Sequence, residues 1–320
     1  MTKGTNTKRI PARIGIFGAN SRIGGAVARA VAERAPAVPL TLIVRSDADR
    51  SALAAEFPAA DCILADYYDL PSLERAVRGV ESLFVVTPDF LDEERAMTRL
   101  VQAIRTQPGL LHIVRLLADP PGMTMDRIPD GLKRYGGGTA VQHLRAKRLL
   151  EASGLPFTYV NIAAYYMQNF TMHLGVPIKA HRTLAVPRDR RVAFIDTADV
   201  GACIAALLLS DNQRHIGQTY HLDNGHDTLW FSDVAAMMSD VFGEPIRYDG
   251  SDDAYRKLAG EAVVRRFKRP DAVDYFLQYF QFEQDNETVW RKTDIVEFLT
   301  GRRATTLREF LENNRSAILG

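Results

Sequence analysis

The stretch Gly15-Ile16-Phe17-Gly18-Ala19-Asn20-Ser21-Arg22-Ile23-Gly24-Gly25 decides the fold. It starts in a short apolar run, residues 13–17, and opens into residues 25–34, where Val27 and Val31 recur at helical spacing. Glycine at a strand-to-helix turn lets the backbone approach a ligand. The helix that follows offers unpaired N–H groups and a positive dipole end to phosphate. A glycine pattern alone is weak evidence, and its place between a strand and a helix gives it meaning. Gly18, Asn20, Ser21, Arg22, Ile23 and Gly24 are therefore the expected phosphate-binding residues. The alternative is an ordinary tight turn.

The same alternation continues downstream. Residues 40–44, 61–65, 83–86, 111–117 and 158–162 read as strands. Residues 51–57, 73–80, 93–106 and 141–153 read as helices, and the apolar run 202–209 as a buried helix. Near-continuous apolar strands are expected where both faces of a parallel sheet are covered. The pattern predicts an α/β protein with a doubly wound parallel sheet, whose ligand lies beyond the carboxyl ends of the strands. Past residue 223 helices dominate. Ser232 is read as the N-cap of a helix over 232–242 that Gly243 stops, followed by helices over 258–268 and 271–282. Thr306 and Glu309 form a capping-box signature ahead of 307–313. With too few strands for a second sheet, this tail is expected to be a smaller helix-rich substrate lobe. The organisation predicted is a flexible tail over 1–12, a nucleotide-binding domain over 13–222 and the lobe over 223–320, with a flexible glycine loop at 136–138.

Composition narrows the function. The 320 residues carry 40 basic and 39 acidic side chains, a net charge of +1, which argues against nucleic-acid binding by bulk electrostatics. A hydrophobic content of 46% excludes general disorder. No apolar run is long enough to cross a bilayer, and the polar, basic N-terminus lacks the apolar core of a secretory signal. Cys62 and Cys203, each in an apolar stretch, suggest buried thiols in a reducing compartment, so a cytoplasmic location is expected. His215, His221 and His226 are spaced like metal ligands, but no acids or cysteines are arranged with them, and no metal is expected. The partner implied is a small molecule; nothing in the pattern predicts an oligomeric state.

The end of the second strand selects the cofactor. An acid there would hold a free ribose 2′-hydroxyl, whereas a 2′-phosphate calls for a cation. Arg45 occupies the position, and no acid occurs until Asp47. Arg22 is placed to reach the same phosphate, and a guanidinium fork suits it. NADP(H) is expected over NAD(H), unless both arginines are simply solvated. Asp66 is positioned to accept from the adenine amino group, and Thr87 and Pro88 to line the cofactor channel.

Several segments resemble the NmrA-like family of atypical short-chain dehydrogenases/reductases. They are the turn Gly18-x-x-Ser21-x-x-Gly24, the unit over 66–88, and Ala152-Ser-Gly-Leu-Pro-Phe-Thr158 with Tyr166-Met-Gln-Asn-Phe170. Ile195-Asp-Thr-Ala-Asp-Val200 and Leu299-Thr-Gly-Arg-Arg-Ala-Thr-Thr-Leu-Arg-Glu-Phe310 are also similar to family segments. The family's turn usually has glycine where Ser21 stands. The resemblance spans about residues 12–314 and implies a Rossmann-type domain that binds NAD(P)(H). It also implies one of two fates: reduction of quinones, aromatic dyes or unsaturated natural products, or cofactor sensing without turnover alongside a protein partner.

Acid–base groups are sparse. The Tyr-x-x-x-Lys pair of the usual short-chain reductases is absent, and the end of strand five reads Leu116-Leu117-Ala118 where their serine would sit. His143 falls where related reductases carry His or Lys, and is expected to bond the nicotinamide ribose or carry a proton, the alternative being a helix-surface histidine. Tyr165 and Tyr166 follow strand six, where either donates a proton, stacks on a substrate ring or only packs. A conjugated acceptor needs less acid assistance, since orientation against the cofactor supplies much of the rate, which points to quinone, aromatic or enone acceptors. Arg265-Arg266-Phe267-Lys268-Arg269 reads as a solvated face or an acidic partner's docking site. Tyr275, Phe276, Tyr279 and Phe280 recur at helical spacing as core or as a pocket wall.

Overall fold

A computed structural model describes residues 7–120, 123–136, 139–162, 164–286 and 292–320. Residues 1–6 of the predicted tail and Gly137 and Gly138 of the predicted loop lie outside the described residues. The chain runs β1 (Ile14–Phe17), α1 (Arg22–Arg34), β2 (Leu40–Val44), α2 (Asp47–Glu56), β3 (Asp61–Leu64), α3 (Leu70–Ala76) and β4 (Ser82–Val85). It continues with α4 (Glu93–Arg105), β5 (His112–Leu117), the short α5 (Asp130–Lys133), α6 (Thr139–Ala152) and β6 (Phe157–Ile162). Then come β7 (Tyr165–Tyr166), α7 (Gly175–His181), β8 (Thr183–Ala185), β9 (Arg191–Ile195), α8 (Thr197–Leu209) and β10 (Thr219–Leu222). The remainder is β11 (Thr228–Trp230), α9 (Phe231–Phe242), β12 (Arg247–Asp249), α10 (Asp252–Ala254), α11 (Gly260–Phe267), α12 (Ala272–Asn286), α13 (Ile295–Thr300), α14 (Leu307–Asn313) and α15 (Arg315–Leu319).

The predicted doubly wound sheet is present, parallel throughout, in the order β10-β6-β5-β4-β1-β2-β3. Every residue of β1, β2, β4, β5 and β6 is buried, the reason these strands read as unbroken apolar runs. One face is covered by α1 and α8, with Val27, Ala28 and Val31 against Val200, Cys203 and Leu207. These two helices touch closely because Gly201 faces Ala26; a Cβ on Gly201 would lie 2.7 Å from the Ala26 methyl. The other face is covered by α3, α4 and α6 through Leu73, Leu100, Ile104, Ala146 and Leu150.

The second lobe differs from the expected helical tail. Its core joins Met167, Phe170, Ile178, Leu184 and Phe194 to Phe231, Met238, Val263, Leu277, Phe310 and Ile318, so residues 165–194 belong with it as well as the C-terminal stretch. It also holds two small sheets, β11-β9-β7 and β12-β8, where no second sheet was expected. Each pairs a strand before residue 196 with one after residue 227 or packs such strands together, a non-local pattern that the tail alone does not display.

Ends of helices show where local signals hold. Thr306 and Glu309 form the reciprocal capping box, and Gly243 ends α9 in the left-handed conformation, φ 69°. Ser232 does not cap α9: the helix starts one residue earlier, and the Ser232 N–H donates 3.2 Å to Asp189 on the β8–β9 connection. A distant carboxylate thus replaces the local cap. No helix among the described residues is long and apolar enough to cross a membrane.

Candidate active site

The glycine turn forms a narrow cradle at the carboxyl end of β1. Gly18 is left-handed at φ 63°, and its carbonyl accepts from the Ser21 N–H at 2.8 Å. A Cβ on Gly24 would lie 2.1 Å from that carbonyl oxygen, so no side chain fits there. Ser21 is the N-cap of α1 and accepts from the Gly24 N–H at 3.0 Å. Among the described residues the Arg22 and Ile23 N–H groups have no backbone acceptor, as the first turn of a helix dictates. This geometry fits a diphosphate. Asn20 is exposed beside it, and Ile23 is half-buried on the core.

Arg45 follows β2, is exposed, and makes no ion pair among the described residues. The nearby acids are occupied: Asp47 pairs with Arg50, and Asp49 accepts from the Ser46 hydroxyl. Arg22 does not join it. Its guanidinium donates 3.3 Å to Thr171, in the segment after β6, while Arg45 lies on the β2 side of β1. The two arginines expected to share one phosphate are therefore on opposite sides of the cradle. Asp66 is exposed, with one carboxylate oxygen accepting from the Tyr68 N–H at 2.7 Å.

Beyond β4 and β5 lies a charged network that the strand pattern concealed. Arg115, in the middle of β5, is fully buried and ion-paired with buried Glu93 at the start of α4. The Thr87 hydroxyl donates to Glu93 and accepts from Arg115 at 3.0 Å, so it turns inward rather than into the channel. Gln142 donates 3.1 Å to Glu93 and 3.0 Å to the carbonyl of exposed Pro88, and accepts from the Phe90 N–H at 3.0 Å. His143 is buried on this network, its Nδ1 3.6 Å from the Glu93 carboxylate and 3.5 Å from Arg115. It is not a helix-surface residue. Although burial opposes it, the Arg115 charge with His143 and Thr87 holds the Glu93 carboxyl well below the usual carboxylate range.

Asp119 completes the floor. Its backbone is clasped by the Asn161 side chain, which donates 3.0 Å to the Asp119 carbonyl and accepts 2.8 Å from its N–H. The carboxyl is buried, and Oδ1 has no hydrogen-bond partner among the described residues. Burial pushes its pKa up to about 6, against the pull of His143. A carboxyl raised in the folded state adds stability below its unfolded pKa and loses it as pH rises through about 6. Asp119→Asn should therefore gain about 2–3 kcal/mol relative to wild type between pH 4 and pH 8, at about 1.4 kcal/mol per pKa unit. Urea unfolding at both pH values checks this; parallel curves would mean that the carboxyl is solvated.

At the cleft's mouth the loop after β4 meets the second lobe. Phe90 is left-handed at φ 61°, a conformation costly for an aromatic residue, of order 1–3 kcal/mol. It is held by Gln142, by the Arg269 guanidinium 4.4 Å over its ring, and by the Tyr275 edge at 5.1 Å. Asp89 is exposed on the cleft yet ringed by protein, which raises its pKa despite His143 and Arg266 nearby. Tyr166 is half-buried and feels the Asp89 charge. Tyr165 is committed elsewhere: its hydroxyl donates 2.8 Å to Glu283 and accepts from Arg190, within the second lobe's core. Tyr275 and Phe280 are buried core residues. His215 and His221 bond Tyr220 and Asn161, and no cluster of three or more metal-ligating side chains occurs among the described residues.

Glu93, Arg115, Gln142, Asp119, Asn161 and Asp89 were missed by the sequence reading. One signal was available: a lone arginine inside the apolar strand His112–Leu117 demands a buried counter-charge. Glu93 hid because an acid in a helix's first turn is ordinary dipole chemistry.

Comparison with known proteins agrees with this architecture. The NmrA-like family model matches residues 11–268. The chain belongs to the NmrA-like family. Among family relatives, a (4-alkanoyl-5-oxo-2,5-dihydrofuran-3-yl)methyl phosphate reductase of Streptomyces griseus is 27% identical, over 92% of this chain and 96% of that protein. An NAD(P)H azoreductase of Xenophilus azovorans is 25% identical, over 94% and 98%. The solved NADPH complex of an Escherichia coli NADPH-dependent quinone oxidoreductase superposes with a TM-score of 0.73 at 20% identity, over 94% of this chain and 99% of that one. That likeness covers the fold through the second lobe.

Proposed function

We propose that this NmrA-like protein transfers hydride from NADPH to a small conjugated acceptor of the quinone, azo or enone type. The chain is an NAD(P)H-dependent oxidoreductase. The observation that carries the reading is one of placement. The glycine cradle after β1 and the His143–Glu93–Arg115 network beyond β4 and β5 stand side by side at the carboxyl edge of one sheet.

The cofactor, when bound, supplies hydride. The Arg22 and Ile23 N–H groups and the α1 dipole would hold its diphosphate, and Arg45 would meet its 2′-phosphate. Glu93 faces Nδ1 of His143 and sets the ring's orientation; in its doubly protonated form the ring gives the Nε2 proton to the acceptor's oxygen or nitrogen and is left neutral, with Nδ1–H toward Glu93. Tyr166 walls the cleft opposite Asp89. Phe90, Phe267 and Tyr275 exclude water at its mouth. The substrates for which these similar proteins are named, an unsaturated lactone, an azo compound and a quinone, share a polarised multiple bond in conjugation.

NADPH oxidation with quinone, azo and enone panels tests the reading. Tight NADPH binding without turnover on every panel would return the chain to the cofactor-sensing alternative. His143→Ala is expected to lower kcat about 100-fold at saturating NADPH while leaving cofactor affinity within about threefold, since a positioned proton donor contributes about 10²–10⁴-fold. An unchanged kcat would assign His143 to packing.

A further inference from the structure

The basic run Arg265-Arg266-Phe267-Lys268-Arg269 ends α11 and crosses the mouth of the cleft. Its members have different fates. Arg265 pairs with Glu261 on its own helix, and Arg269 pairs with Asp271 while covering the Phe90 ring. Lys268 is the left-handed cap that ends α11. Arg266 alone of the run's arginines makes no ion pair among the described residues; its guanidinium rests 5.5 Å from the Phe267 ring.

Phe267 shows where this tip sits. Its ring meets Phe90 edge-on at 6.2 Å on the β4 side and His173 at 5.9 Å on the other. Beyond His173 is Arg22 of the glycine turn, whose guanidinium reaches Thr171. Arg266 and Arg22 are electrostatic neighbours, and each depresses the pKa of His173, which burial and the two guanidinium charges bring down to about 4. His173 is therefore neutral, and its buried Nδ1 has no hydrogen-bond partner among the described residues. Asp89 faces Arg266 from the opposite wall, and Arg22 makes no ion pair among the described residues. Two guanidinium groups around an unpartnered imidazole nitrogen repel one another unless an anion sits between them.

We propose that Arg22, His173 and Arg266 form a clamp for a phosphoryl oxyanion across the mouth of the cofactor cleft, Arg22 from the nucleotide-binding sheet and Arg266 from the second lobe. Guanidinium forks and an imidazole nitrogen suit tetrahedral oxyanions. Two sources carry that chemistry: the cofactor's diphosphate bridge and an acidic group on the acceptor. The proposal rests on the reductase reading for its position, but its test does not depend on turnover.

Calorimetry of the full chain separates the cases. NADPH is titrated into wild type, Arg266→Ala and Arg265→Ala, and inorganic phosphate is then titrated into each protein, bare and NADPH-loaded. A tenfold or greater loss of NADPH affinity in Arg266→Ala, with no phosphate binding to the loaded wild type, assigns the clamp to the cofactor diphosphate. NADPH affinity within twofold, with phosphate binding the loaded wild type but not loaded Arg266→Ala, assigns it to the acceptor. Arg265→Ala should change neither titration. If Arg266→Ala changes neither, or Arg265→Ala loses as much, the clamp is overturned. A wild type that gives no NADPH heat sinks the reductase reading. In that case alone, phosphate binding to the bare wild type that Arg266→Ala abolishes would still establish the clamp, and its absence would end it.

Discussion

Glu93→Ala is expected to lower the unfolding free energy by about 3–5 kcal/mol, because it leaves a guanidinium buried without a counter-charge. Arg115 is fully enclosed, and Glu93 bonds it together with Thr87 and Gln142. The loss comes from stranding a charge rather than from any large net worth of the pair. Replacing both partners, Glu93→Leu with Arg115→Met, should accordingly restore most of the stability. Urea denaturation of the two variants beside wild type makes the comparison, and a single variant that loses under about 1 kcal/mol would show that water reaches Arg115. The pair also sets a pH dependence. Glu93 ionises far more readily folded than unfolded, so its contribution is complete above about pH 4.3, the unfolded value, and declines as pH falls below it toward the folded one. The double variant should lack that acid-side decline.

Arg45→Glu is expected to weaken NADPH binding by about 100-fold or more, roughly 2.7 kcal/mol, while NADH binding changes less than about threefold. A guanidinium with no competing acid is available to a 2′-phosphate, and a carboxylate in its place repels that group. A free 2′-hydroxyl carries no charge, so the substitution costs NADH little, and a carboxylate is the usual partner of that hydroxyl. Titration with both reduced cofactors decides it. Equal losses would mean that Arg45 supports the turn rather than reading the phosphate. Arg22 makes a useful contrast: it leans toward Thr171 and the second lobe, so Arg22→Ala should not alter the preference between the two cofactors.

The histidine and the glycines were readable for different reasons. Gly18 and Gly24 announce themselves because a left-handed turn and a contact with no room for Cβ exclude every other residue. His143 stood out through the resemblance, yet what it touches did not, since Glu93 lies on another helix and Arg115 on a strand. Tyr165 and Tyr166 are adjacent in the chain and looked equivalent. Alternation along β7 sends one to the Arg190–Glu283 pair in the second lobe and leaves the other near Asp89. The neighbouring arginines 265 and 266 diverge in the same way, through helical rotation.

Apolar periodicity and turn chemistry act over a few residues, so the linear order of side chains settled the parallel sheet, its glycine cradle and the capping box at Thr306. Charge pairing and strand partnering join residues far apart in the chain, such as Arg22 with Thr171 and Tyr165 with Glu283. Which acid holds His143, where Arg22 points and how the second lobe builds its sheets were accordingly decided by folding in three dimensions. A buried charge or an unpaired strand edge is satisfied by whatever group the packed layers bring to it, and no local pattern encodes that group.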